Sequence, residues 1–172
     1  ALRAVTRLVQ VEPKLYRKDI TRRMGELLPE AEEPLQMEIG KALQKWSEPG
    51  DGMEAIARQA VEKAAVHGDA PESLVAFLAL RGDREVVPAI DRLWALDPTK
   101  WEDLYGGFGV AIEDHLLQRF KETTITQRMS TIRLLGKIGS SKSVPKLEAA
   151  LREANPELRL LIERSLSSIR SR

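Results

Sequence analysis

The chain contains no cysteine, so it has no thiolate nucleophile or ligand, and its two histidines are the first residues to consider for reactive chemistry. His67 and His115 lie 48 residues apart, and neither belongs to a His-Glu-x-x-His motif or another metal-ligand pattern. His115 follows Glu113 and Asp114, a grouping that could pass a proton, but adjacent residues of a helix point in different directions. We interpret both histidines as surface or packing residues. The sequence therefore predicts no catalytic residue, no metal site and no cofactor.

Two further features could serve binding. The stretch 105–109 reads Tyr-Gly-Gly-Phe-Gly, and glycine runs bind phosphate when they connect a strand to the start of a helix. No strand pattern precedes this run, so a bend between helices is the preferred interpretation. The three tryptophans, Trp46, Trp94 and Trp101, lie on apolar stripes and are expected in the core. The alternative is that Trp101 and Tyr105 are exposed together and anchor an interface.

Basic side chains at helical spacing are the strongest functional candidates. One stripe on the predicted helix 14–28 consists of Lys14, Arg17, Lys18 and Arg22, with Thr21 on the same side. Charged residues on the predicted helices 125–138 and 157–170 form the main candidate surface: Arg128, Arg133, Lys137, Arg159, Glu163 and Arg170. Each set is either an ordinary solvated helix face or an electrostatic docking surface, and both interpretations stay open at this point.

The charge distribution constrains the choice of partner. The chain has 27 Lys/Arg and 26 Asp/Glu residues, and its net charge of +1 is unfavourable for an extended phosphate-binding surface. The ends are basic and the middle is acidic: net charges are +4 for residues 1–28, −5 for 29–56, −4 for 57–122 and +6 for 123–172. No apolar run reaches the length of a membrane-spanning helix, so we expect no membrane insertion. The compartment is unknown, and the cytoplasm is the default assumption.

Helices must position these side chains, because apolar residues recur at three- and four-residue spacing along the chain. Proline and glycine divide this pattern into short segments, and Asn155-Pro156 and Asp97-Pro98 carry the chemistry of helix starts. The sequence predicts an all-α fold with eleven helices of roughly 10 to 16 residues. We place them at 2–10, 14–28, 33–47, 53–66, 72–81, 84–96, 99–109, 110–121, 125–138, 142–154 and 157–170.

An internal repeat is visible as a glycine followed six positions later by a proline, at Gly82 with Pro88 and again at Gly139 with Pro145. A second proline then follows each copy after ten or eleven residues. Self-similarity of this kind indicates stacked structural units. Gly136 and Gly139 are expected at a close approach between helices and at a helix end, where a Cβ would interfere or a left-handed backbone is required.

The repeat also has a pattern in its second helix. Gln127-Arg128 leads to Leu135-Gly136, Leu158-Arg159 leads to Leu166-Ser167, and weaker copies place Leu43, Leu78 and Phe108 at the leucine position. Successive spacings are 35, 30, 27 and 31 residues. On these residues the chain resembles the HEAT-repeat family, particularly its short form of about 30 residues found in the phycobilisome-lyase-like group.

This resemblance implies an α-solenoid of about five antiparallel helix pairs, preceded by a half-repeat at residues 2–10. We expect residues 1–172 to form a single HEAT-like domain. Because the chain opens on a half-repeat, it is expected to be a piece of a longer protein. The pattern of residues 16–25 fits a second helix as well, so the phase of the repeats before residue 50 stays open.

Three functions are compatible with this fold. The favoured prediction is a non-catalytic scaffold whose concave groove holds another protein, and it rests on the family resemblance. The first alternative is a nucleic-acid-binding module with a basic cradle, like that of the HEAT-like DNA glycosylases. The second alternative is a lyase-type HEAT-like enzyme, which would need a pocket of converging polar groups.

Overall fold

In the computed structural model, which describes residues 1–13, 15–120 and 124–172, all regular secondary structure within these ranges is helical. The all-α prediction is therefore confirmed for these residues. The α-helices they contain are α1 Leu2–Gln10, α2 Arg17–Leu27, α3 Glu33–Trp46, α4 Met53–Ala65, α5 Glu72–Arg81, α6 Val87–Leu96, α7 Pro98–Gly106, α8 Glu113–Arg119, α9 Ile125–Ile138, α10 Val144–Arg152 and α11 Pro156–Arg170. Short 3₁₀ turns lie at Leu28–Glu30, Gly109–Ile112 and Ser141–Ser143. No described helix has both the length and the apolar character needed to span a bilayer.

The predicted helix starts are confirmed by side-chain caps. The Asp97 carboxylate accepts a hydrogen bond from the backbone N–H of Lys100 at 3.0 Å, and the Asn155 side chain accepts one from Leu158 at 2.9 Å. Each cap is followed by proline, whose missing N–H costs nothing in the first helical turn. A capping box at the start of α9 was not predicted: Thr124 and Gln127 exchange side-chain and backbone hydrogen bonds.

Several predicted boundaries shift for local reasons. The helix expected from residue 14 begins at Arg17, because Tyr16 has a left-handed backbone with φ of 56°. The helix expected from residue 84 begins at Val87, because the Asp83 carboxylate accepts hydrogen bonds from the next backbone N–H groups and holds them in a turn. The bend expected at the glycine run is present: α7 ends at Gly106, and a 3₁₀ turn separates it from α8.

The described residues divide into two compact units, Ala1–Leu93 and Trp94–Arg172. In the first unit α3 contacts both α1 and α5, while α2 contacts α4. In the second unit α9 contacts both α7 and α11, while α8 packs on α9 and α10 packs on α11. Alternate helices are therefore neighbours within each unit. The single domain expected over residues 1–172 stays a prediction.

Two glycines within helices let these neighbouring helices approach closely. A Cβ at Gly136 of α9 would lie 2.6 Å from the hydroxyl oxygen of Ser165 on α11, and that hydroxyl donates to the carbonyl of Ile132 at 2.9 Å. Gly40 of α3 is in the same situation, since a Cβ there would lie 2.7 Å from backbone atoms at the start of α5. The close approach expected at Gly136 is confirmed.

Gly139 ends α9, as expected from the sequence, but its conformation is different from the one considered. Its φ of −64° and ψ of 152° are extended rather than left-handed. A glycine is favoured here for space instead, because a Cβ would lie 2.5 Å from the carbonyl oxygen of Leu135. Helix α9 therefore ends tightly against its own last turn, and the short connection leads directly into α10.

The three tryptophans lie in the core, as predicted. Trp101 is 1% exposed and Tyr105 is 0% exposed, so the alternative that they form an exposed anchor is wrong. Trp94 packs with its ring centroid 5.5 Å from that of Tyr105, and its indole N–H donates to the Ser130 hydroxyl at 2.8 Å. Trp94 and Tyr105 therefore pack together within the second unit, and the buried indole N–H of Trp94 has an acceptor on α9.

Candidate functional site

The two histidines were interpreted as surface or packing residues, and the structure places both at least partly in contact with solvent. His67 is exposed and His115 is partly exposed. Among residues 1–13, 15–120 and 124–172, no three His, Asp or Glu side chains lie close enough together to hold a metal ion.

One buried carboxylate was missed by the sequence analysis. Glu113, at the start of α8, accepts hydrogen bonds from the Ser140 N–H at 2.8 Å and from the Ser140 and Ser143 hydroxyls at 3.0 and 2.5 Å. Burial raises the pKa of Glu113, but these hydrogen bonds outweigh burial and hold the pKa below its ordinary value. The carboxylate therefore caps the turn that leads into α10. Its partners lie 27 to 30 residues away, so no local sequence signal points to this role.

Arg133 and Lys137 of the main candidate surface point toward α7. The Arg133 guanidinium donates to both carboxylate oxygens of Glu102, at 2.8 and 2.6 Å, and Lys137 lies 4.0 Å from Asp103. This bidentate hydrogen bonding raises the pKa of Arg133. Burial raises the pKa of Glu102, but hydrogen bonds from Arg133 and Ser130 lower it further than burial raises it. Arg133 is thus engaged within the fold.

Arg159, Glu163 and Arg170 are exposed on α11. Ser165 lies on the side of α11 that packs against α9. Glu163 is two residues away, or about 200° around the helix axis, and so lies on nearly the opposite side of α11. Arg170 pairs with Glu148 of α10, and Arg170 and Glu163 border a shallow cleft of about 470 Å³. The structure therefore does not bring these residues together with Arg133 and Lys137.

The basic stripe on α2 has a structural role that the sequence did not show. Arg17 donates to the backbone carbonyls of Trp46, Lys45 and Ser47 at 2.6, 3.1 and 3.2 Å, and so caps the C-terminal end of α3. The Thr21 hydroxyl donates to the same Trp46 carbonyl at 3.2 Å. Of the other stripe residues, Lys18 and Arg22 are exposed, Arg22 pairs with Asp19 and Glu26, and Lys14 lies outside the described residues.

Arg128 borders a cleft, which we call the Arg128 cleft. Arg17, Lys18 and Arg22 of the basic stripe border a different cleft of about 440 Å³. The volume of the Arg128 cleft is about 530 Å³, and α9, α10 and α11 supply most of its lining: Phe120, Arg128, Ile132, Lys146, Ala149, Ala150, Glu153, Ala154, Leu158 and Ile162. Phe120, Ile132, Leu158 and Ile162 form an apolar floor, and each of them is buried. Arg128 is nine residues before Lys137 on α9, so it points to the opposite side of the helix, about 180° away.

The cations of the Arg128 cleft are not neutralised by the fold. The Nε atom of Arg128 is buried and has no hydrogen-bond partner among the described residues. Within the described part of the chain, neither Arg128 nor Lys146 forms an ion pair with a carboxylate within 4.0 Å. Glu153 is the acidic member of the lining. An apolar floor below two unpaired cations can bind an apolar group that carries negative charge.

Comparison of the chain with protein-family models, with curated proteins and with solved structures finds no match. The side-chain arrangement is therefore the basis on which a function can be proposed.

Proposed function

We propose that this chain is a non-catalytic protein-binding module built of HEAT-like helical repeats, arranged as an α-solenoid of about five helix pairs after a leading half-repeat. The proposal is supported in each unit by the contacts between alternate helices, which stacked helix pairs require. Gly40 and Gly136 support the proposal further, because they permit close approach of α3 to α5 and of α9 to α11.

The main support for a binding function is the Arg128 cleft. Arg128 is a half-buried cation in the lining of the cleft and forms no ion pair with a described carboxylate. A carboxylate supplied by a bound partner would neutralise this charge. The apolar floor beneath the arginine would add the burial of hydrophobic surface, which is the main driving force of most protein association.

Nucleic-acid binding is less well supported, because many basic residues are engaged by acidic partners. A phosphate backbone would have to displace these carboxylates before it could gain the same contacts. The engaged pairs within the described residues include Arg22 with Asp19 and Glu26, Arg23 with Glu26, Arg133 with Glu102, Lys142 with Asp114, and Arg170 with Glu148.

The test is a selection of peptides from a random displayed library on the immobilised chain, followed by affinity measurement of the enriched sequences. Ala149 lies exposed in the lining of the Arg128 cleft, so Ala149→Gln fills the cleft without disturbing the core. Ala55→Gln is the matched control, because Ala55 is an exposed helical alanine on α4. We expect enriched peptides with dissociation constants of about 1 to 100 μM that weaken at least about tenfold with Ala149→Gln.

Duplex DNA is measured in parallel across a range of salt concentrations. A protein-binding module is expected to bind the duplex weakly and without sequence preference. Enrichment of no peptide, together with micromolar duplex binding that weakens steeply with salt, would overturn the proposed function in favour of nucleic-acid binding. Peptides that bind the Ala149→Gln and Ala55→Gln chains equally would show that the Arg128 cleft is not the binding site.

A further inference from the structure

The partner of the Arg128 cleft can be narrowed from the hydrogen-bonding capacity of its cations. A guanidinium has five N–H donors in a fixed plane and no acceptor, and it matches the two oxygens of a carboxylate. Arg128 is a half-buried side chain in the lining of the cleft, and it uses its side-chain donors on no described residue. A group in the cleft that neutralises this arginine has to be an anion, and a carboxylate is the best match among protein groups.

The position of Lys146 sets a second requirement for the partner. It lies on α10, whereas Arg128 lies on α9, so the two unpaired cations stand on different helices of the lining. One acidic residue, Glu153, belongs to the same lining, so the cations outnumber the acid. A partner with two separated carboxylates satisfies both cations, whereas an amphiphile with a single head group satisfies one of them.

The shape of the cleft sets a third requirement for the partner. Ile132, Leu158 and Ile162 form an aliphatic floor, and the α10 side carries the small residues Ala149 and Ala150. A partner helix can come close to alanines, because they have short side chains, and it can place an aliphatic side chain on the floor. On a helix, residues three or four positions either side of that aliphatic residue share its face, which is where two carboxylates would reach the cations.

We propose that the Arg128 cleft binds a helical segment of a partner protein in which an aliphatic side chain is flanked by an acidic residue about one turn before it and one turn after it. This inference rests on the proposed function and specifies the chemistry of the partner. Arg128 receives one carboxylate, Lys146 receives the other, and the aliphatic side chain covers Ile132 and Ile162.

The probe is a synthetic fluorescein-labelled peptide of about twelve residues, or three helical turns, with a central leucine and a glutamate one turn to either side. Its binding to the full chain is measured by fluorescence anisotropy. We expect a dissociation constant in the micromolar range, and a loss of at least about tenfold when both glutamates are replaced by glutamine or the leucine by serine. Equal binding of the glutamine peptide would overturn the inference.

Protein variants separate binding from folding. Arg128→Met is expected to weaken the peptide at least about tenfold and to leave the melting temperature unchanged or higher, because it removes a buried donor that has no acceptor. Lys146→Met provides a second variant on α10, and Arg159→Met is the control at an exposed position on α11. Wild-type affinity in both Arg128→Met and Lys146→Met would overturn the inference.

Two further outcomes separate this inference from the proposed function. If library selection yields peptides that bind less tightly to the Ala149→Gln chain but carry no acidic residues, the inference fails and the protein-binding function stands. If sodium laurate binds in a manner that depends on Arg128 while the peptide does not bind, the cleft is a site for a small amphiphile and the inference fails. If no library peptide binds, both proposals fail.

Discussion

The contact between Gly136 and Ser165 allows a sharp test of how α9 and α11 are held together. Gly136→Ala would place a Cβ 2.6 Å from Oγ, 2.9 Å from Cβ and 3.1 Å from Cα of Ser165. The first two distances are shorter than carbon and oxygen atoms tolerate, and the third involves the backbone of α11, which cannot rotate away. The two helices must therefore move apart, and the Ser165 hydroxyl loses its hydrogen bond to the Ile132 carbonyl.

The size of the effect follows from three opposing terms. Overpacking of a closely packed contact costs about 1 to 3 kcal/mol. Loss of the Ser165 hydrogen bond costs about 1 kcal/mol, while alanine in place of glycine within a helix returns about 1 kcal/mol. The net expectation is that Gly136→Ala lowers the free energy of unfolding by about 2 kcal/mol, although a helix-propensity argument alone predicts an increase.

Urea unfolding followed by circular dichroism measures this change. Gly106→Ala is the matched control, because a Cβ at Gly106 would meet the flexible ends of Leu134 and Lys137, at 3.0 and 3.7 Å, and we expect a change within about 1 kcal/mol. Adding Ser165→Gly to Gly136→Ala removes the two shortest contacts. The double-mutant cycle is expected to show a favourable coupling of about 1 to 2 kcal/mol.

The same substitution should affect the proposed site, because α9 carries Arg128 and Ile132 while α11 carries Leu158 and Ile162. Peptides selected on the Arg128 cleft are therefore expected to bind Gly136→Ala more weakly than Gly106→Ala. A Gly136→Ala chain as stable as the wild type, with no coupling to Ser165, would refute the view that close approach at this glycine sets the packing of α9 against α11.

Three further substitutions test contacts that were found only in the structure. Hydrogen bonds lower the pKa of Glu113 in the folded protein, although burial alone would raise it. The ionised carboxylate therefore stabilises the fold at any pH above 4.5, the ordinary pKa of a glutamate. This stabilisation is lost as the pH falls through the lower pKa of the folded state. Glu113→Gln should therefore cost about 1 to 3 kcal/mol at neutral pH and flatten the pH dependence of the unfolding free energy in acid; an unchanged profile contradicts this. Arg17→Met removes the cap of α3 and should cost about 1 to 2 kcal/mol in urea unfolding, whereas exposed Arg22→Met should change stability by less than about 0.5 kcal/mol; equal effects would argue against the cap. Ser130→Ala leaves the buried indole N–H of Trp94 without its acceptor and should lower the free energy of unfolding by about 1 to 3 kcal/mol in thermal unfolding; unchanged stability contradicts this role of Ser130.

The secondary structure could be predicted to a large extent from the sequence, because its determinants are local. The three- and four-residue recurrence of apolar side chains indicated helices, and the caps at Asp97 and Asn155 act on backbone groups three residues away. Boundaries shifted where a local conformation had no clear composition signal, as at Tyr16, whose left-handed backbone is uncommon for a residue with a Cβ.

The candidate site could be predicted only in part. Arg17, Arg128 and Arg133 were correctly placed on helices, but the sequence could not assign them partners. The partner of Arg133 lies 31 residues away, and the carbonyls bound by Arg17 lie 28 to 30 residues away. Arg128 was grouped with Arg133 and Lys137 by charge. Tertiary packing separated them. It placed acidic side chains of α7 beside one side of α9, and on the other side it placed an apolar floor where Arg128 pairs with no described carboxylate.

The sequence by itself therefore determined that the chain forms short helices, where most of them start and end, and that Gly136 lies at a close approach. The tertiary structure decided which charges are neutralised, that the carboxylate of Glu113 is buried among hydroxyl groups, and that Arg128 is left with a buried donor beside an apolar cleft. The physical reason is one of range. Helix formation and capping act within about four residues, whereas the desolvation and pairing of a charge depend on side chains brought close by the packing of helices about 30 residues apart.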